Sequence, residues 1–127
     1  MQAVDTNVLI RLLTQDDVAQ AARATSLFRR DDIWIAKTVL LETSWVLRSL
    51  YAFEQPRITA ALRSVAGLPN VKLEDAASVA RAFELTDAGV DFADAIHLVS
   101  MGPAASFATF DKKFAARAKK LASVTLL

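Results

Sequence analysis

The stretch Met1-Gln2-Ala3-Val4-Asp5-Thr6-Asn7-Val8-Leu9-Ile10-Arg11-Leu12-Leu13 decides how this chain is read. Met1 to Val4 is a short apolar run that Asp5 stops, and Val8 to Leu13 is apolar but too long and leucine-rich for a strand. The segment therefore reads as strand, turn, helix, with Thr6 or Asn7 as the expected helix cap. Asp5 stands where an apolar residue would cost less. A carboxylate among aliphatic neighbours costs several kcal/mol unless a cation or hydrogen bonds compensate it.

The same alternation continues along the chain. Asp16 or Asp17 opens a second helix to about Arg30, Ile33 to Ala36 makes a brief strand, and Thr38 is expected to cap a third helix to about Tyr51. Pro56 starts a fourth helix that ends near Gly67, with Pro69 just beyond, and Val71 to Leu73 is a short edge strand. A helix from Glu74 to about Ala88 stops at Gly89, and Asp91 caps the next, which ends near Gly102 and Pro103. Ala105 to Phe110 is a strand, Asp111 caps a basic helix, and Val124 to Leu127 closes the chain. Strands alternating with helices predict an α/β fold: a three-layer α/β/α sandwich around a central parallel sheet of four to five strands.

At 127 residues with 54% hydrophobic residues, the chain is long and apolar enough for one domain spanning 1–127. Its apolar runs are broken long before the roughly 20 residues a membrane span needs. No basic-then-apolar leader is visible at the start, and there is no cysteine for disulfides or thiolate metal sites. A cytoplasmic protein is the expectation. The net charge of +1 hides a possible segregation, because acids gathered in one pocket would leave the rest of the surface positive. Lys112, Lys113, Arg117, Lys119 and Lys120 fall within one short segment, and Arg29, Arg30, Arg48, Arg57 and Arg63 lie on other predicted helices. A phosphate-bearing partner is compatible with this, as are plain solvated helix faces.

Four acids stand out: Asp5, Glu42, Asp94 and Asp111. In open parallel sheets ligands bind beyond the carboxyl ends of the strands, and Asp5 and Asp111 each follow a predicted strand. At about 100° per residue with Val39 as zero, Glu42 falls near 300°, Val46 near 340° and Leu50 near 20°, which puts Glu42 in the expected apolar stripe, with Arg48 on the opposite side near 180°. Asp94 shares a face with Leu98 and Met101, and Asp91 lies one turn earlier. Capping offers a plainer account of the aspartates: Asp91 and Asp94 favour the helix dipole, and Asp111 as an N-cap is worth about 1 kcal/mol. It does not account for Glu42. Hard oxygen ligands, with no cysteine and only His97 as imidazole, suit Mg²⁺ or Mn²⁺ over zinc, and such ions serve phosphodiester hydrolysis.

The set Asp5-Thr6-Asn7, Val39-Leu40-Leu41-Glu42-Thr43, Asp91-Phe92-Ala93-Asp94-Ala95 and Thr109-Phe110-Asp111 resembles the PIN-domain ribonucleases. More narrowly, the chain is similar to VapC-type toxins of type II toxin-antitoxin systems, over essentially its whole length and in motif order. The resemblance implies a Mg²⁺- or Mn²⁺-dependent endoribonuclease with Asp5, Glu42, Asp94 and Asp111 as catalytic acids and metal ligands, Glu42 either binding metal or orienting water. Asp91 matches a frequent extra acid, more a supporting group than a ligand. Thr6, Asn7 and Thr109 would orient the acids by hydrogen bonds. The implied partners are RNA, a cognate antitoxin that blocks the site, and a second copy in a homodimer, with no membrane.

His97 lies about 60° around its helix from Asp94 and reads as a structural or rim residue. Trp34, Trp45, Tyr51 and Phe53 read as core or dimer packing sooner than base stacking. Lys112, Lys113 and Arg117 are candidate RNA phosphate contacts. Leu47, Leu50, Tyr51 and Leu62 hint at a groove for an antitoxin helix, with core packing as the plainer account. A receiver domain fits less well, because Asp5 is single and an acid occupies the late-strand position where a lysine is wanted. A metal-dependent phosphatase, a solitary RNA-processing nuclease and a non-catalytic RNA- or protein-binding scaffold are the remaining alternatives.

Overall fold

A computed structural model describes residues 1–127. The chain divides into two compact units, Met1–Ala76 and Ala77–Leu127. No helix is long and apolar enough to cross a membrane.

In the first unit the order is β1 (Gln2–Ala3), α1 (Thr6–Thr14), α2 (Val18–Arg30), β2 (Ile33–Ile35), α3 (Lys37–Ser49), α4 (Gln55–Ala66) and β3 (Val71–Leu73). The strands form one parallel sheet in the order β1-β2-β3, with Ala3 opposite Trp34 and Trp34 opposite Lys72. Ile33 and Ile35 point to the same side of β2 and are fully buried, while Trp34 between them is 37% exposed. That is the period-2 alternation of a strand with one face on the core. Leu9, Ile10, Leu40, Leu47, Ile58 and Leu62 complete this core from three helices, α1, α3 and α4. Each such side chain contributes roughly 1.5–3 kcal/mol by leaving water.

Helix ends explain where the elements begin. Asp5 is the cap of α1, its carboxylate accepting the Val8 N–H at 3.1 Å, so neither Thr6 nor Asn7 holds the capping position expected of them. Asp17 does the same for α2 through Gln20 N–H at 2.9 Å. The C-terminal carbonyls of α2 are met by Asn70, whose Nδ2 donates to Phe28 O and Asp31 O, both at 2.7 Å. The third helix starts at Lys37 on Ala36, which has no capping side chain, and not on Thr38. Its first-turn donor Lys37 N–H is accepted at 2.8 Å by the Glu74 carboxylate, one residue beyond β3.

The buried stripe of α3 also differs from the expectation. Leu40, Thr43, Ser44 and Leu47 are buried, which centres the stripe near about 90° from Val39. Glu42 lies on the far side and is exposed, with Trp45 (62% exposed) on the same outer surface. Val39, Val46 and Leu50, which mark the expected stripe, do not form the buried face: the first two are half-buried and the last is 72% exposed. Thr43 tolerates full burial because its Oγ1 donates to Val39 O at 2.7 Å. Leu47 and Leu62 are fully buried, so they cannot line a groove for a partner helix. Trp45 is likewise no core residue. Tyr51 and Phe53 are half-buried and meet edge-on at 6.4 Å, with the Arg57 guanidinium 3.7 Å over the Phe53 ring.

The second unit takes α5 (Ala76–Asp87) from its second residue on, then α6 (Phe92–Val99), β4 (Phe107–Thr109), α7 (Lys112–Ala118) and β5 (Val124–Leu126). Its two strands pair in parallel with Phe107 opposite Val124 and Thr109 opposite Leu126. Each strand pairing is parallel within its own sheet, three strands in the first unit and two in the second. Gly89, at φ +104°, ends α5 in a conformation glycine adopts without a Cβ penalty. Phe83 stacks on Phe92 at 5.5 Å, and Phe114 meets Phe107 edge-on at the same distance. Val79, Ala82, Val90, Ala95 and Ala118 are buried around them.

Candidate functional site

Two of the four acids are built by the same local device. Asp5 comes two residues after the end of β1, and its Oδ1 caps α1. Asp111 comes two residues after the end of β4, and its Oδ1 caps α7 by accepting Phe114 N–H at 3.0 Å. Both belong to strands of parallel sheets, and both lie at the carboxyl end, the edge where such sheets bind ligands. The cap uses one oxygen of each carboxylate. The second oxygen of each makes no hydrogen bond within the chain, so capping and coordination do not compete for the same atom.

Thr109, the last residue of β4, accepts the Asp111 N–H on its Oγ1 at 3.0 Å and so holds the turn in which Asp111 lies. Beside Asp5, Thr6 is buried and Asn7 is exposed. Asp91 caps α6 through Ala93 N–H at 3.2 Å, and Asp94 in the first turn is half-buried on the face of buried Leu98. His97 is exposed.

Glu42 is on the exposed side of α3, where water solvates it at no burial cost. The electrostatic argument for its function therefore lapses. Asp5 and Glu42 belong to the first unit, and Asp91, Asp94 and Asp111 to the second. Neither unit by itself gathers three or more acidic or imidazole side chains in an arrangement that holds a metal ion. The donor chemistry nevertheless fits a hard cation: carboxylate oxygens, no thiolate and an imidazole that lies on exposed surface.

Of the basic candidates, Lys112 and Lys113 are exposed on the first turn of α7. Arg117 has a structural use that the sequence did not reveal, since its Nη1 donates to Gly89 O at 3.1 Å and ties α7 to the end of α5. A residue missed altogether at the sequence level is Arg11. Its Nε donates to Gln20 at 2.7 Å and its Nη1 to Asp16 and Tyr51, with the Tyr51 hydroxyl donating in turn to Asp16. The Tyr51 hydrogen bond, then that of Thr14, holds the Asp16 carboxyl below its ordinary range. The Arg11 guanidinium is pushed up by the same tyrosine and by Asp16.

A model of the PIN domain matches residues 3–120 of the chain. No curated protein matches it. No solved structure matches it either.

Proposed function

Because the chain belongs to the PIN domain family, whose fold is of nuclease type, we propose that it is a Mg²⁺- or Mn²⁺-dependent endoribonuclease that hydrolyses RNA phosphodiester bonds. The observation that carries this reading is the repeated strand–aspartate–helix corner at Asp5 and Asp111, each offering one unbonded carboxylate oxygen beyond a parallel strand. Asp5, Asp94 and Asp111 are the proposed metal-holding acids, with Glu42 either as a further ligand or as the group that orients water. A bound divalent ion supplies charge to stabilise the phosphorane-like transition state and lowers the pKa of water.

The chain's own residues have separable tasks in this mechanism. The caps at Val8 and Phe114 fix the rotamers of Asp5 and Asp111, so that little side-chain freedom remains to be lost on binding. Thr109 fixes the backbone at Asp111. Glu42, exposed on α3, would orient the attacking water by accepting a hydrogen bond from it. Lys112 and Lys113, exposed on the first turn of α7 after Asp111, would contact RNA phosphate.

The finer reading, also a proposal, is the toxin of a type II toxin-antitoxin pair acting in the cytoplasm. It rests on the VapC-like motif order and on the apolar surface left by Trp45 and Leu50, 62% and 72% exposed on α3 and its end, which suits a homodimer or an antitoxin. Cleavage of total RNA by the purified protein, with and without Mg²⁺, tests the enzyme. Undiminished cleavage by Asp5→Asn removes the acidic mechanism. A neighbouring reading frame for a small DNA-binding protein that neutralises the activity separates a toxin from a solitary RNA-processing nuclease.

A further inference from the structure

Between α1 and α2 of the first unit lies a cavity of about 470 Å³, lined in part by Gln2, Asn7, Arg11, Arg23, Leu27 and Arg30. Three guanidinium groups line it and no carboxylate does. The three arginines are not equivalent. Arg11 is held in place by Asp16 at 3.1 Å and Tyr51 at 3.2 Å, and forms a fixed wall. Arg30 is 65% exposed and uses only its Nε, on Asp31 at 3.3 Å, an exposed pair that contributes little and exchanges readily. Arg23 is exposed and makes no hydrogen bond or ion pair within the chain. Arg23 and the Nη groups of Arg30 thus have N–H donors available in the groove; Arg23 has no acid partner, and Arg30 meets Asp31 through Nε alone. The planar guanidinium fork matches phosphate oxygens two at a time.

The groove's position connects it to the acid at the α1 corner. Gln2 and Asn7, which line it, bracket Asp5 in the same strand–turn–helix segment. We infer that this groove is a backbone subsite for single-stranded RNA, with Arg23 and Arg30 on a phosphate of a nucleotide flanking the scissile bond. Asn7 offers an amide that is both donor and acceptor to a base edge or a ribose hydroxyl, and Gln2 offers its amide oxygen, its Nε2 reaching Asp31 at 3.5 Å. That pairing favours RNA over an acidic peptide, whose carboxylates need donors alone. The volume suits a group of nucleotide size. The assignment rests on the ribonuclease reading for the identity of the strand, and its test is therefore binding and not cleavage.

The test is fluorescence anisotropy with a short single-stranded RNA in EDTA, across a salt titration, comparing the native chain with Arg23→Gln/Arg30→Gln and with Arg29→Gln, a neighbouring arginine outside the groove. Each lost phosphate contact removes about 0.7 from the log–log salt slope on a single strand, so the double variant should lose about 1.4 and bind roughly tenfold more weakly near physiological salt. Arg29→Gln should bind as the native chain does, and all three should melt together. Unchanged affinity and slope in the double variant overturn the subsite, and so does an equal loss in Arg29→Gln, which would mean diffuse charge attraction. Preferential binding of poly-glutamate over RNA, lost in the double variant, overturns it in favour of an acidic protein partner. Arginine-dependent RNA binding by a chain that cuts nothing with Mg²⁺ or Mn²⁺ leaves the subsite standing and removes the nuclease reading.

Discussion

Glu74 and Lys37, far apart in sequence, meet where α3 begins: the Glu74 carboxylate accepts the Lys37 backbone N–H at 2.8 Å. The helix that carries Glu42 is thereby capped from the end of β3 and not from its own N-terminal residues, Ala36 offering no side-chain acceptor. Glu74→Ala should cost about 1 kcal/mol, the usual worth of a lost N-cap, and lower the melting temperature by a few degrees. Glu74→Gln, which keeps an acceptor oxygen, should recover most of it in the same thermal melts.

Asp5→Asn separates folding from chemistry. Asparagine ranks with aspartate as an N-cap, so α1 should persist and the thermal melt should hardly move. RNA cleavage should fall on the order of 100-fold or more, and so should affinity for Mn²⁺ measured calorimetrically. Asp111→Asn should behave alike at α7. A large drop in melting temperature for either would mean that the carboxylate serves the fold alone.

Acid should loosen the junction of α1, α2 and α3. The Asp16 carboxyl is held below its ordinary value of 3.8, chiefly by the Tyr51 hydrogen bond and then by Thr14. A depressed folded-state pKa stabilises the fold above the unfolded value, and that contribution is lost as pH falls through the folded value. The stability advantage of the native chain over Asp16→Asn should therefore be present at neutral pH, begin to fall below about pH 4 and be lost as pH drops through the lower folded-state value. Tyr51→Phe should raise the Asp16 pKa towards 3.8 in an NMR titration. An unmoved titration would mean that the tyrosine is not the main cause.

Two leucines of α3 and its end make a contrast. Leu47 is fully buried and Leu50 is 72% exposed. Leu47→Ala should cost about 2–5 kcal/mol in denaturant unfolding, and Leu50→Ala less than about 0.5 kcal/mol. If Leu50→Ala shifts the sedimentation profile towards a smaller species with stability unchanged, its surface belongs to an interface.

Much was legible in the order of residues, for a local reason. A cap acts across three residues, so Asp17, Asp91 and Asp111 could be read as helix starts before any tertiary contact was known. Even the miss at Thr6 and Asn7 was a shift of one or two positions, because Asp5 competes with both for the same free N–H groups and won. Glycine at Gly89 marked the end of α5 for the equally local reason that φ +104° excludes most side chains.

The chain's sequence by itself determined the alternation of strands and helices, the parallel pairing it predicts, the aspartates at the ends of β1 and β4, and a donor set of hard oxygens. Only the tertiary structure decided which side of α3 faces the core, that Glu74 caps it from beyond β3, and that Arg11, Arg23 and Arg30 share one groove. The physical reason is range. Capping and strand propensity are settled within one turn or two, whereas the buried face of a helix depends on the side from which its neighbours arrive. On a helix with apolar residues around much of its circumference, as in Val39-Leu40-Leu41 and Trp45-Val46-Leu47, periodicity allows more than one stripe. Contact with the rest of the unit selected the one through Leu40, Thr43, Ser44 and Leu47, and left Glu42 in water.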